Sequence, residues 1–164
     1  MLQRKTPLKS KGPMKQRSKK KAAKTTKDKE VKATVRREQN YQCQVCGREA
    51  YEEHHIVYES QGGLTIKRNL ITLCEHCHHA RIHDGDGVLD KKLKLQLQAK
   101  LMEIFTQDRE YTTGEIAAAI EAPERIIENA VWKGSMKSQR HQGEYKSSGE
   151  QVVRWLMGGQ IYAA

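Results

Sequence analysis

All four cysteines of this 164-residue chain, and six of its seven histidines, fall between Cys43 and His83. The cysteines form two Cys-x-x-Cys pairs, Cys43/Cys46 and Cys74/Cys77, with 27 residues between the pairs. Such a knuckle turns two thiolates toward one ion, and a second knuckle closes the tetrahedral four-thiolate shell that zinc takes in structural sites. Disulfides would need an oxidising compartment, and Met1-Leu2-Gln3-Arg4-Lys5 opens without the apolar run of a secretory signal. The spacing therefore predicts a structural Zn²⁺ on Cys43, Cys46, Cys74 and Cys77. The apolar stock around them is thin: Tyr41, Val45, Ile56, Val57, Leu70, Ile71 and Leu73. Metal binding should then supply much of the folding free energy of this segment.

A zinc ribbon uses none of the histidines. His54-His55 follows Ala-Tyr-Glu-Glu and precedes Ile-Val-Tyr, a short β-prone run in which neighbouring side chains point to opposite faces. Two adjacent histidines on such a strand can do different work, one toward a metal and one toward a substrate. Ser60-Gln-Gly-Gly63 reads as a turn, and Lys67-Arg68-Asn69 leads into a second apolar run, Leu70–Leu73. Residues 78–83 open a helix in this reading, with His78 in its first turn and His79 and His83 four apart on one face.

These elements together resemble the HNH endonucleases, whose ββα-metal site often rides on a four-cysteine zinc scaffold. The resemblance rests on Cys43-x-x-Cys46, His54-His55-Ile56, Gly62-Gly63, Asn69-Leu70, Leu73-Cys74-x-x-Cys77-His78 and His83, in the family's order, over roughly residues 36–85. It implies His55 as the general base that deprotonates the attacking water, and Asn69 as the residue that holds this base in its working orientation. It also implies His54 and His78 as ligands of a catalytic divalent ion: Mg²⁺, Mn²⁺, Ni²⁺ or Zn²⁺. A histidine with an ordinary pKa near ~6.5 keeps a neutral fraction able to accept a proton. One position departs from the family. Ile82 stands where many relatives carry a second helix histidine, and His83 lies one residue further on. Either His83 completes the shell after a local shift, or His79 and His83 form the pair.

Charge suggests the substrate. Residues 1–40 hold 15 Lys and Arg against Asp28, Glu30 and Glu38, whereas residues 41–164 hold 15 against 17 acids. Nearly all the excess positive charge thus lies in the first quarter, which carries Pro7, Gly12 and Pro13 and no apolar periodicity before Val31. This composition predicts a disordered tail over 1–28 that clamps phosphates regardless of sequence through Lys9, Lys15, Lys19, Lys20 and Lys21. A helix from about Asp28 to Asn40 should lead into the zinc module. That module is itself acidic, so Lys67, Arg68 and Arg81 are its candidate DNA contacts.

Beyond Asp84-Gly-Asp-Gly87, residues 89–106 lack Gly and Pro and place Leu93, Leu97, Leu101, Ile104 and Phe105 at helical spacing. Tyr111–Ile120 reads as a short helix capped by Thr112 or Thr113, and Pro123 opens another that runs to about Lys133. Two short helices with Ala117 and Ala118 at their approach resemble a helix-turn-helix. With residues 134–142 and 151–157 as strands of a wing, the region resembles a winged helix with Trp132 and Trp155 in its core.

The expected fold class is α+β. A tail (1–28) precedes a zinc-stapled HNH module (29–88) and a mainly α, winged-helix-like DNA-binding domain (89–164). The expected function is a metal-dependent DNA endonuclease acting on double-stranded DNA and nicking as a monomer. Cutting both strands would call for a homodimer, and a phage partner protein is the other assembly the resemblance suggests. A cytoplasmic setting in a bacterium or phage-infected host is expected, with homing, packaging or restriction as its biology. The rival reading is a non-catalytic, zinc-containing DNA-binding regulator. No stretch approaches a membrane span.

Overall fold

The computed structural model describes residues 19–85 and 87–163, with side chains from Thr26 onward. Lys9 and Lys15 lie outside the described residues. The first helix, α1 (Lys19–Glu38), begins well before Asp28, so residues 19–28, including Lys19, Lys20 and Lys21, have helical backbone where a disordered tail was expected. The run from Lys19 to Glu38 contains neither Gly nor Pro, and nothing in it stops a helix from extending toward the N-terminus.

Strands β1 (Glu52–His55) and β2 (Leu70–Leu73) form an antiparallel hairpin in which His54 faces Ile71 and His55 faces Leu70. Every residue of β2 is buried, which fits a run of two leucines, an isoleucine and a threonine covered on both faces. α1 packs across this hairpin. Val35 is buried there, Gln39 Oε1 accepts the Thr72 N–H at 2.7 Å, and Arg36 pairs with Glu53 at 2.7 Å. The connection between the strands folds back tightly at Gly63, where a Cβ would stand 1.8 Å from the Val57 carbonyl oxygen. Only glycine fits that approach.

After β2 the chain enters a π-helix (His76–His83). Its widened turn is seen where the Asp84 N–H reaches the His79 carbonyl, five residues back, at 2.9 Å. Helix α2 (Val88–Ile104) follows and packs against the π-helix. It buries Leu89, Leu93, Leu97 and Leu101, the stripe its sequence spacing predicts.

The remaining elements run β3 (Glu110–Thr112), α3 (Thr113–Ala119), α4 (Glu124–Trp132), β4 (Gln139–His141), β5 (Glu144–Ser148) and α5 (Gly149–Leu156). The three strands form one antiparallel sheet with β5 in the middle. Thr112 caps α3 through a capping box with Glu115. The β4–β5 turn puts Gln142 and Gly143 at φ 50° and 90°, as a two-residue hairpin requires. Two expectations fail here. Residues 151–157 lie in or just after helix α5 and form no strand: Ser148 caps the helix, and Val152, Val153, Leu156 and Met157 recur at helical spacing and are buried. Trp132 is 87% exposed at the end of α4, not core, and Trp155 is half-buried. The apolar face of α4 is already supplied by Ile127 and Ala130.

One buried cluster runs from Cys43 through Val57, Leu73, Leu93 and Leu101 to Ile116, Val152 and Met157. The hairpin and the C-terminal helices therefore share a core. Lys67 and Arg68 add polar links across it: Lys67 Nζ lies 3.1 Å from Glu121, and Arg68 Nε donates to the Ala119 carbonyl at 2.8 Å.

Candidate metal centres

The first site is the four-thiol cluster. The Cys43–Gly47 knuckle closes through Gly47 N–H to the Cys43 carbonyl at 2.8 Å, with Gly47 at φ 74°. Cys74 leaves the end of β2, and Cys77 lies buried in the π-helix. All four sulfurs fall within 4.8 Å of one another, and Cys46 and Cys74 are 3.6 Å apart, far beyond a disulfide bond. Burial pushes the Cys77 thiol up to about 12, helped by the three other thiols. Burial also pushes the Cys43 thiol upward, but backbone hydrogen bonds from Cys74, Val45 and Cys46 outweigh it and bring that thiol down to about 6. Four sulfurs this close cannot all ionise without a cation between them, so the donor set suits a tetrahedral divalent ion.

The second site lies between β1 and the π-helix. One ligand nitrogen each from His54, His78 and His83 falls within a 4.8 Å group, and His78 Nε2 is 3.1 Å from His83 Nε2. The π-helix explains why Ile82 is no obstacle. The turn here is widened by i→i+5 hydrogen bonding, so His83 returns beside His78 while Ile82 turns inward and is buried. His79, the other candidate partner of His83, is exposed and sits 3.3 Å from Glu52. His54 is 3% exposed, and its Nε2 has no hydrogen-bond partner among the described residues. Burial, then the neighbouring imidazoles of His78 and His83, lower its pKa to about 4. A neutral imidazole with an unmatched buried nitrogen facing two others fits a divalent cation.

His55, the adjacent residue on β1, points elsewhere. It is half-buried, and its Nε2 lies 3.0 Å from Thr65 Oγ1, whose hydroxyl in turn reaches Glu59 at 3.5 Å. Burial lowers its pKa below the ordinary histidine value. Asn69 is buried, and its amide holds the backbone that follows His55. Oδ1 accepts the Val57 N–H at 2.8 Å, and Nδ2 donates to the carbonyls of Val57 at 2.9 Å and Leu64 at 3.0 Å. It thus acts on the His55 loop through the main chain and makes no side-chain bond to the ring.

The candidate DNA contacts of this segment are already engaged. Lys67 bridges Glu38 at 2.6 Å and Glu121, Arg68 holds Ala119, and Arg81 approaches the Cys77 sulfur at 3.8 Å. Sequence reasoning missed Thr65, Glu59, Glu52 and Tyr58. Tyr58 stands edge-on to His54, with ring centroids 5.3 Å apart. Burial and a hydrogen bond to Asp90 push its phenol up to about 12. Behind it the buried Lys94 pairs with Asp90 at 2.7 Å and lies 4.5 Å from the Tyr58 ring. Only the alternation of β1, which puts Glu52 on the face of His54, could have hinted at one of these residues.

Two strands and a helix enclosing converging imidazoles, stapled by a four-thiol knuckle, make a small ββα-metal module. The chain belongs to the HNH endonuclease family, whose match covers residues 43–84. It is also similar to Anaredoxin from a Nostoc species, at 34% identity over 58 residues, or 34% of this chain and 75% of that protein. No solved structure gives a significant match. Among the described residues no helix is long and apolar enough to cross a membrane.

Proposed function

We propose that the protein is a metal-dependent DNA endonuclease that hydrolyses phosphodiester bonds with His55 as general base. The observation that carries this reading is the division of labour on β1. His54 faces His78 and His83 with an orphaned nitrogen, while its neighbour His55 turns to Thr65. His54, His78 and His83 would hold a divalent ion, which when bound supplies charge neutralisation at the scissile phosphate and its leaving oxygen. Cys43, Cys46, Cys74 and Cys77 would hold a structural Zn²⁺.

The protein's own residues account for the base. In this reading Thr65 donates toward Glu59 and its Oγ1 accepts from His55 Nε2–H. That leaves Nδ1, which has no partner among the described residues, as the basic nitrogen. Partial burial lowers the pKa of the ring below the ordinary histidine value, which favours its neutral form. The Asn69 amide fixes residues 57–64, and with them the loop that carries Thr65 beside the ring.

The C-terminal elements support a DNA-positioning role of winged-helix type. α2, β3, α3, α4 and the β4–β5 hairpin follow that order, with β5 pairing to β3. The hairpin carries Arg140 and Lys146 against Glu144, a net positive charge, whereas α4 exposes Glu124 and Glu128 against Arg125, a net negative one, so DNA contact falls to the hairpin and to the basic first residues.

Incubating the purified protein with supercoiled plasmid and Mg²⁺, Mn²⁺ or Ni²⁺ tests the proposal. Nicked circles should form, and His55→Ala should lower the rate at least about 100-fold, the lower range for a general base, with DNA affinity kept. Tight DNA binding without cleavage under any of these ions would replace this reading with that of a non-catalytic regulator.

A further inference from the structure

We propose that Glu52 is a positioning residue for the three-histidine cluster, holding His78 in its Nδ1–H tautomer so that Nε2 presents a lone pair. The inference rests on the proposed ion site at His54, His78 and His83. Glu52 and His54 lie two apart on β1, so both side chains leave the same face, the one turned to the π-helix. Glu52 Oε2 lies 2.7 Å from His78 Nδ1. A carboxylate at that distance accepts a proton-bearing nitrogen, which assigns the hydrogen of His78 to Nδ1.

The consequence appears at the other end of the ring. His78 Nε2 and His83 Nε2 are 3.1 Å apart, a separation at which both cannot carry hydrogen. The carboxylate settles which of them does not. Without Glu52, His78 would be free to take the Nε2–H tautomer and close the site to a cation. Carboxylates behind metal-bound histidines commonly change metal affinity by about 10- to 100-fold. The same oxygen lies 3.3 Å from His79 Nε2, which ties down a second imidazole outside the cluster. Glu52, His78 and His79 also form a donor group within 4.8 Å, and direct ligation by that group is the rival arrangement.

Calorimetric titration of Ni²⁺ into the zinc-loaded full chain, with long-range ¹H–¹⁵N spectra of the histidines, separates these arrangements. The wild-type protein should show His78 as Nδ1–H. Glu52→Ala should weaken Ni²⁺ about 10- to 100-fold and shift His78 toward Nε2–H, with zinc content and Tm unchanged. Glu52→Gln, whose amide oxygen still accepts from Nδ1–H, should recover part of the affinity and guards against a folding defect in the alanine variant. His79→Ala should bind Ni²⁺ as the wild type does. Unchanged affinity and tautomer in Glu52→Ala, alongside lost affinity in His54→Ala, would overturn the role of Glu52 alone. A loss in His79→Ala equal to that in Glu52→Ala would overturn it in favour of direct ligation. If His54→Ala titrates like the wild type, the three-histidine site itself fails, and this role fails with it.

Discussion

At the scale of single residues, the adjacent histidines show what burial does to identical side chains. His54 is held neutral, with its pKa near 4, by burial and by two neighbouring imidazoles. In the unfolded chain it would titrate near ~6.5. With no ion bound, the unfolded state therefore gains a proton below pH ~6.5 that the folded state refuses until about pH 4. Stability is fully present above ~6.5 and falls as the pH drops through this window, by about 3 kcal/mol from this group. Urea unfolding of chelator-treated, zinc-retaining protein at pH 7 and pH 4.5 measures it, and His54→Gln should flatten the difference. An equal loss in that variant would place the linkage on other groups. The opposite facing of His54 and His55 was legible, since strand alternation alone dictates it. The orphaned nitrogen of His54 was not, because it depends on what β2 and the π-helix bring against the ring. Asn69 was singled out in the sequence as the residue that orients His55, but the bonds its amide makes were not legible there. Its bonds go to the backbone of Val57 and Leu64, which lie close only because Gly63 lets the loop close.

At the scale of elements, the π-helix is the feature that no local propensity announces. The run His76-Cys-His-His-Ala-Arg-Ile-His83 contains no signal for a widened turn, and an α-helix would have paired His79 with His83. Three tertiary demands set the register: Cys77 must face the thiols, Ile82 must enter the core, and His83 must return over His78. Deleting the exposed Ala80 tests this account. The shortened segment should relax to an α-helix, in which the two terminal imidazoles lie four apart and still share a face. Ni²⁺ affinity should then stay within about 10-fold of wild type, whereas His83→Ala should lose far more. A deletion as damaging as His83→Ala would mean that the π-turn does more than align the two rings. Elsewhere the local signals sufficed. The Thr112 capping box and the leucine stripe of α2 each follow from local sequence rules, whereas the chain between the expected wing strands, residues 143–150, turns at Gln142-Gly143 and leaves 144–148 as strand β5. Residues 151–157 were misread because Val152-Val153 suits a strand, while the Ser148 cap and the spacing to Leu156 decide for a helix.

At the scale of the whole molecule, charge and core are organised separately. Residues 1–18 hold six Lys and Arg and no acid. Removing them should flatten the dependence of log K on log salt by up to about 5 on duplex DNA, taking ~0.9 per phosphate contact, as a filter-binding series would show. An unchanged slope would show that these cations do not touch phosphate. The core, in contrast, crosses the join between the β1–β2 hairpin and the C-terminal helices, and Gly158 marks a close approach across it. A Cβ at Gly158 would stand 2.3 Å from the Gln61 carbonyl oxygen and 3.1 Å from Val57 Cγ1, on the loop that Asn69 holds beside His55. Its neighbour Gly159 is the natural control. It has a similar left-handed backbone, φ 88° against 74°, but nothing within 4 Å of the position a Cβ would take. Both Gly→Ala changes incur the backbone cost of about 1 kcal/mol, and only Gly158→Ala adds the collision, about 1–3 kcal/mol more. Thermal unfolding should show Gly158→Ala well below Gly159→Ala in Tm, still in a single transition, because the two halves melt as one core. Equal melting temperatures, or two separate transitions in the wild type, would mean that the C-terminal helices rest on the β1–β2 hairpin without supporting it.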